Sequence, residues 1–229
     1  MLTERQYKIV EFMKKNKSAS VRRLSKEFFV SEMTVRRDLT ELERQGYLAR
    51  YNGGAYYCEN DDILPVEARK KLHSAEKQKL SVMAKKYLSD SITVYIDSSS
   101  TCMYIIPILS EYNDIKIVTN SIQSLMTAAK YHIPCIIAGG EYYEHDMCTV
   151  GSVTENFLEN LNVDAAFFSS KGISDDGIIS DDDLRQTAVR KTVMKNAKKV
   201  IFMFDSTKTH KKYLYTVCKS DAIDGVIML

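Results

Sequence analysis

Most of this 229-residue chain is built on one alternation. Apolar runs of strand length, SITVYID (91–97), IKIVT (115–119), PCIIAGG (134–140), DAAFFSS (164–170), KVIFMFD (199–205) and AIDGVIM (222–228), are separated by helical spacing near 76–88, 101–111, 121–131, 152–160 and 182–196. Runs that are apolar almost throughout belong to strands buried on both faces. Strands that alternate with helices come out parallel, because each crossover carries the chain back to the same end of the sheet. The pattern predicts an α/β, mostly parallel sheet over residues 76–229, covered on both sides. No repeat or low-complexity segment interrupts it.

Such a sheet offers ligands the crevice beyond the carboxyl ends of its strands. The residues placed there are small and polar. Asp97-Ser98-Ser99-Ser100-Thr101 follow the first run, Thr119-Asn120-Ser121 the second and Gly139-Gly140-Glu141 the third. Ser169-Ser170-Lys171-Gly172 follow the fourth, and Asp205-Ser206-Thr207-Lys208 the fifth. Turns and helix caps require many of the same residue types. Lys171 and Lys208 are not needed for capping, so the set predicts a pocket for an anion and for sugar hydroxyls. Asp181-Asp182-Asp183 reads as the acidic start of a helix rather than a metal site. Arg185, Arg190, Lys191 and Lys195 read as a solvated helix face. Tyr142, Tyr143 and His145 stay open between a lid, an exposed loop and a subunit contact.

The first 57 residues follow a different rule. Thr3 and Gln6 have the spacing of a capping box, and Ile9, Val10, Phe12 and Met13 give the helix behind it an apolar stripe. Ser20 opens a second helix with Val21, Leu24 and Phe28 on one face. After the turn Phe29-Val30-Ser31, a third helix carries Val35, Leu39 and Leu42 inward, with Ser31 as its N-cap and Val30 and Val35 spaced as a staple. Thr34, Arg36, Arg37 and Arg44 are left outside, and Gly46 is expected to end the helix. LARYNGGAYY then forms a hairpin around Asn52-Gly53. Two helices across a short turn, the second basic on its outer side, predict a helix-turn-helix, and the hairpin makes it winged. Arginine pairs bidentately with guanine edges, and serine or threonine takes bases or phosphates, which selects Ser31, Thr34, Arg36 and Arg37 for the major groove. Arg22, Arg23 and Arg50 suit backbone contacts, and Arg50 with Tyr51 at the wing suits phosphate or the minor groove.

Charge agrees with that division. Residues 1–57 hold 12 Lys+Arg against 7 Asp+Glu, a net of +5, and the remainder hold 20 against 23, a net of −3. A basic head on a mildly acidic body predicts that the head alone meets a polyanion. Residues 58–75, of mixed charge, read as a linker. The five cysteines are scattered without a CxxC pair, which points to reduced thiols in a cytoplasmic protein. The histidines lack metal-ligand spacing, so neither a metal nor a cofactor is expected. The start, MLTERQYKIVEFMKKNK, lacks a secretion signal's apolar block, and no run is long enough to span a membrane.

MTVRRDLTELERQGYLARYNGGA resembles the N-terminal signature of the DeoR family of bacterial transcriptional regulators, and residues 3–57 match it without a gap. The order DSSST, VTNS, AGGE, VDAAFFSSKGI, FDSTK is similar to the family's C-terminal sensor domain, itself similar in fold to ribose-5-phosphate isomerase. The resemblance implies an α+β multidomain chain: winged helix-turn-helix (1–57), linker (58–75) and sugar-phosphate isomerase-like sensor (76–229). It implies a phosphorylated sugar as effector, with Ser98, Ser99, Ser100 and Thr101 as phosphate loop. Asp97, Thr119, Asn120, Gly139, Lys171, Gly172, Asp205 and Lys208 would line the rest. Two departures stand out: DSSST where relatives often have a glycine, and an end at Met228-Leu229, short of a tail many relatives carry.

The expected function is a double-stranded-DNA-binding transcriptional regulator, a repressor of a carbohydrate-metabolism operon by resemblance, and not an enzyme. One winged head is a small interface, so a homodimer or homotetramer would be needed to engage two half-sites. A competing reading is an isomerase-like enzyme with an appended head, using Asp97, Glu141 or Asp205 as base. A protein-binding winged helix is disfavoured by the outward arginines.

Overall fold

The computed structural model describes residues 2–44, 47–57, 66–70 and 72–229. The chain divides into two units, Met1–Ser74 and Ala75–Leu229. In the first, α1 (Glu4–Asn16) begins at the expected capping box: Thr3 Oγ1 accepts the Gln6 amide at 3.2 Å and Gln6 Oε1 accepts the Thr3 amide at 3.0 Å. After β1 (Ser18–Ser20), Ser20 Oγ accepts the Arg23 amide at 3.1 Å and starts α2 (Val21–Glu27). Ser31 Oγ accepts the Thr34 amide at 3.2 Å and starts α3 (Glu32–Arg44). The hairpin β2 (Leu48–Tyr51) and β3 (Gly54–Tyr57) follows, then a short α4 (Val66–Arg69). The stripe residues Ile9, Met13, Leu24, Val35, Leu39 and Leu42 meet Leu48 and Ala55 in one core, with Val30 packed against it. Burying each Leu contributes about 1.5–3 kcal/mol, which is what holds helices this short.

Two features differ from expectation. The wing has three strands, in the order β1-β3-β2, because Ser18–Ser20 pairs antiparallel with β3. Residues 58–75 do not read as a tether throughout: Val66 and Leu72 are buried, and Leu72 clusters with Ala49 and Tyr56 of the wing. Residues 58–65 and Gly46 lie outside the described residues.

The second unit opens with α5 (Ser74–Met83), extended by a 3-10 turn to Tyr87. Then come β4 (Thr93–Ile96), a 3-10 turn at Cys102–Ile105 leading into α6 (Ile106–Leu109), β5 (Lys116–Thr119), α7 (Ile122–Lys130) and β6 (Cys135–Ile137). The hairpin β7 (Glu141–Tyr143) and β8 (Cys148–Val150) precedes α8 (Ser152–Glu159) and β9 (Ala165–Phe168). The chain finishes with β10 (Gly172–Ile173), β11 (Ile178–Asp181), α9 (Leu184–Met194), β12 (Val200–Phe204), β13 (Tyr215–Lys219) and β14 (Gly225–Met228). Each of the six apolar runs supplies one strand of a parallel sheet ordered β14-β12-β9-β4-β5-β6. Alternate residues feed two cores. Val94, Ile96, Phe167 and Ile201 pack under α5 and α6, while Tyr95, Phe168, Phe202 and Phe204 pack under α8 and α9. The β7–β8 hairpin and the antiparallel β10-β11-β13 sheet were not anticipated, since their strands are short and alternate weakly.

The strand order places the site. From β4 the chain moves outward through β5 to β6, then returns to lay β9 on the other side of β4. Neighbouring loops that leave in opposite directions open a crevice, here beyond the carboxyl ends of β4 and β9.

Candidate functional site

On the first unit, α3 presents Arg36 and Arg37 to solvent. Arg37 makes no ion pair among the described residues, whereas Arg36 sits 3.3 Å from Glu32 one turn back. Thr34 is half-buried and its hydroxyl lies 2.9 Å from that of Ser31, so both belong to the helix cap. Arg22 is exposed on α2. Arg23 is held by Asn16 at 2.7 Å and lies over the Phe12 ring. Arg50 lies near the turn of the wing, with its guanidinium donating to Thr40 Oγ1 at 2.7 Å and its amide to Glu43 at 3.0 Å. Tyr51 is half-buried and packs on Tyr56, with ring centroids 4.7 Å apart. Tyr51 thus stands next to the turn of the wing, while Arg50 directs its side chain back to α3.

The structure adds Asp38, from the same RRD run. It points inward, almost fully buried, and takes Arg5 Nε at 2.6 Å and Nη2 at 3.2 Å, pinning the start of α1 to α3. Between them lies a cleft of about 740 Å³, lined in part by Thr3, Arg5, Met33, Thr34 and Arg37. A signal was present, because Asp38 stands three residues after Val35 and four before Leu42, on the inward face.

In the second unit, the loop after β4 is buried from Asp97 to Thr101. Asp97 accepts the Ser99 amide at 2.9 Å and the Ser169 amide at 3.1 Å, and so ties together the two loops at the crevice. Ser99 Oγ accepts the Cys102 amide at 3.1 Å, and Ser98 Oγ donates to Gln186 Oε1 at 3.1 Å. Lys77 Nζ, buried on α5, donates to Ser100 Oγ at 3.2 Å, and Lys208 Nζ donates to Ser169 Oγ at 3.0 Å. Thr101 Oγ1 is buried without a hydrogen-bond partner. A serine oxygen that accepts from an ammonium keeps its own proton to donate. Ser100, Ser169 and Thr101 thus offer hydroxyl donors in the neighbourhood of two lysines, a chemistry suited to an anion.

Other expected lining residues are engaged within the fold. Thr119 Oγ1 donates to Ile96 O at 2.6 Å and accepts the Ser121 amide at 3.0 Å. Asn120 takes Tyr95 OH at 2.9 Å and gives its amide to Thr149 O at 2.8 Å. Asp205 caps the following 3-10 turn through Thr207. Gly172 lies in β10, where an added Cβ would come 2.7 Å from Lys211 O, so close strand packing explains the glycine. Gly139, exposed after β6, gives its carbonyl to Thr154 Oγ1 at 2.8 Å. Lys171 pairs with Asp182 at 3.3 Å.

Arg190 corrects the sequence reading most. It is only 6% exposed, not part of a solvated face, and lies 2.9 Å from Asp181 and 3.5 Å from Asp97. Burial disfavours its charge, but Asp181, Asp97 and Asp146 outweigh that and hold it firmly protonated. Burial alone would raise the Asp181 carboxyl; Arg190, the Asp183 amide and the Ser170 hydroxyl together bring it below its ordinary value. Asp183 does cap α9, accepting the Gln186 amide at 2.9 Å. A signal was present: Gln186 and Arg190 stand four apart on the face that also carries Val189 and Val193.

Comparison with known proteins follows the same division. Residues 5–61 match the model of the DeoR-like helix-turn-helix domain, and residues 72–228 that of the DeoR C terminal sensor domain. The glycerol-3-phosphate regulon repressor of Escherichia coli is 26% identical over 98% of this chain and 89% of its own length. The L-fucose operon activator of Escherichia coli is 29% identical over 99% and 95%. Among solved structures, eIF2B delta from Chaetomium thermophilum superposes with TM-score 0.51 at 12% identity, covering 68% of this chain and 56% of that one. A ribose-5-phosphate isomerase in complex with phospho-erythronic acid superposes with TM-score 0.45 at 18% identity, covering 59% and 54%. This chain spans about half the length of both solved structures. No helix among the described residues is long and apolar enough to cross a membrane.

Proposed function

This chain belongs to the DeoR family of transcriptional regulators, and from that premise we propose that it is an operator-binding repressor of a carbohydrate-metabolism operon, released or engaged by a phosphorylated sugar. The head, approximately residues 1–57, binds double-stranded DNA, and the body from about residue 76 senses the effector. Arg36 and Arg37 lie in the major groove, with Ser31 and Thr34 fixing the start of α3. Arg22, Arg23 and Arg50 add phosphate contacts that carry no sequence information. The chain works in the cytoplasm as a homodimer or homotetramer, so that two heads meet two half-sites.

The observation that carries the effector reading is the group of hydroxyl donors at the crevice, Ser100, Ser169 and the unpartnered Thr101, with Lys77 and Lys208 behind them. A sugar phosphate brings a charge near −2 and oxygens that only accept, which matches donors of this kind. Asp97 and Gln186 suit hydroxyls of the sugar, each after exchanging an existing hydrogen bond.

Isomerase turnover is not expected. Asp97 is held by two amides and faces Arg190, Asp205 is a cap, and Glu141 is exposed on β7, so none of the three is poised as a base. Thermal unfolding against a panel of hexose and pentose phosphates tests the assignment. An effector at a hundred times its Kd should add about 2.7 kcal/mol of stability. The shift should vanish in Ser100→Ala or Lys208→Ala. The absence of any shift with every phosphate would remove the sensor reading, and product formation in the same tubes would favour an enzyme.

A further inference from the structure

The first turn of α3 carries a side chain that the basic pattern does not explain. Met33 is 75% exposed, one of the most exposed large apolar residues of the chain. It is no part of the inward stripe of Val35, Leu39 and Leu42, which packs the core of the head. On a helix it stands three and four residues before Arg36 and Arg37, hence directly beside both. It also lines the cleft between α1 and α3 together with Thr34 and Arg37. An apolar side chain is thus set among the groups expected to enter a polyanion's groove, at the end of the recognition helix that reaches base edges.

Only one apolar group projects from base edges into the major groove, the 5-methyl of thymine. We propose that Met33 reads sequence by packing its thioether side chain on a thymine methyl, between the positions taken by Arg36 and Arg37. The methionine is flexible and polarizable, so it follows the methyl without demanding a fixed rotamer. Arg36 and Arg37 then supply affinity and any guanine preference, while Met33 supplies a thymine preference that no charge provides.

The inference rests on the reading that α3 enters the major groove, and the test separates the two. The full chain selects its site from a random duplex library. Each thymine of that site is then replaced singly by deoxyuridine, which removes only the methyl. Kd is measured for the unmodified protein, Met33→Ala, Met33→Gln and Arg37→Ala. At one thymine the loss of the methyl should weaken the unmodified protein roughly fourfold, the Boltzmann equivalent of one buried methyl. Met33→Ala and Met33→Gln should bind thymine and deoxyuridine equally there, and Arg37→Ala should bind more weakly yet keep the methyl effect. Methyl sensitivity that is absent from the unmodified protein, or retained at full size in both Met33 variants, overturns the proposal while Arg37→Ala still reports DNA reading. Failure to select any site, or full binding by Arg37→Ala, overturns both.

Discussion

Arg190 is the residue on which the body's electrostatics turn. One buried guanidinium faces two buried carboxylates, Asp181 and Asp97, so its removal strands both. Breaking a buried pair from one side costs about 3–5 kcal/mol, and we expect Arg190→Met to lose that much in urea unfolding near neutral pH. The pH dependence should also change sign. The folded-state value of Asp181 lies below the ordinary 3.8, so its contribution is full above that value and fades as pH falls through it. Without Arg190, burial loses its largest opponent and the Asp181 carboxyl rises, so that acid relieves the variant where it weakens the parent. Unfolding curves from about pH 7 down to about pH 2 check this, and a parallel loss in both proteins would contradict it. A second residue-scale test lies in the helix-turn-helix turn. Phe29 holds a left-handed φ of 53° while 95% exposed. That conformation costs a bulky residue on the order of 1 kcal/mol, and asparagine tolerates it better. Phe29→Asn should stabilise the head by about 0.5–1 kcal/mol in denaturant unfolding; a loss would show that the ring makes a contact of its own.

Among the elements, the wing depends on a backbone approach. At Gly54 an added Cβ would come 2.4 Å from Ala19 O and 2.4 Å from Tyr51 OH, because β1 crosses there to pair with β3. Tyr51 can move its ring, but the carbonyl of Ala19 belongs to the ladder. Gly54→Val should therefore destabilise the head by about 1–3 kcal/mol, the usual range for overpacking. Denaturant unfolding measures the loss, and tolerance of valine would mean that β1 is dispensable. The strand β1 escaped prediction because Ser-Ala-Ser has neither β-branched nor aromatic residues and only three positions. In the body, the parallel strands were legible because β9 and β12 are buried on both faces and read as unbroken apolar runs. β11 depends on a partner distant in sequence, β13, whose register is set by folding and not by a turn.

For the whole molecule, the consequence of having a DNA-reading head and an effector site on one chain is reciprocity. If a sugar phosphate changes operator affinity by some factor, operator must change sugar-phosphate affinity by the same factor. Effector titrations with and without a saturating operator duplex should give Kd values whose ratio equals the ratio of operator Kd values with and without effector. Equal effector Kd values, beside an effector that does alter DNA binding, would point to a second ligand or a change in assembly. The comparison must be made at one salt concentration, because phosphate contacts by arginines make operator affinity fall steeply with ionic strength.

Local chemistry was enough to determine the elements and their kinds. The capping box at Thr3, the caps at Ser20 and Ser31, the inward stripe of α3 and the six strands of the parallel sheet all follow from interactions within a few residues or from a period of burial. The outward arginines of α3 belong to this class, since a charge opposite an apolar stripe must face out. Only the tertiary structure decided which polar groups are paired inside. Arg190 meets Asp97 across 93 residues, and Lys77 meets Ser100 across 23. It also gave Thr119, Asn120 and Asp205 hydrogen bonds within the fold and left Thr101 Oγ1 without a partner among the described residues. A period of hydrophobicity records whether a side chain is buried, but not what it faces. That depends on which loops the strand order brings side by side, and here the order puts β9 next to β4.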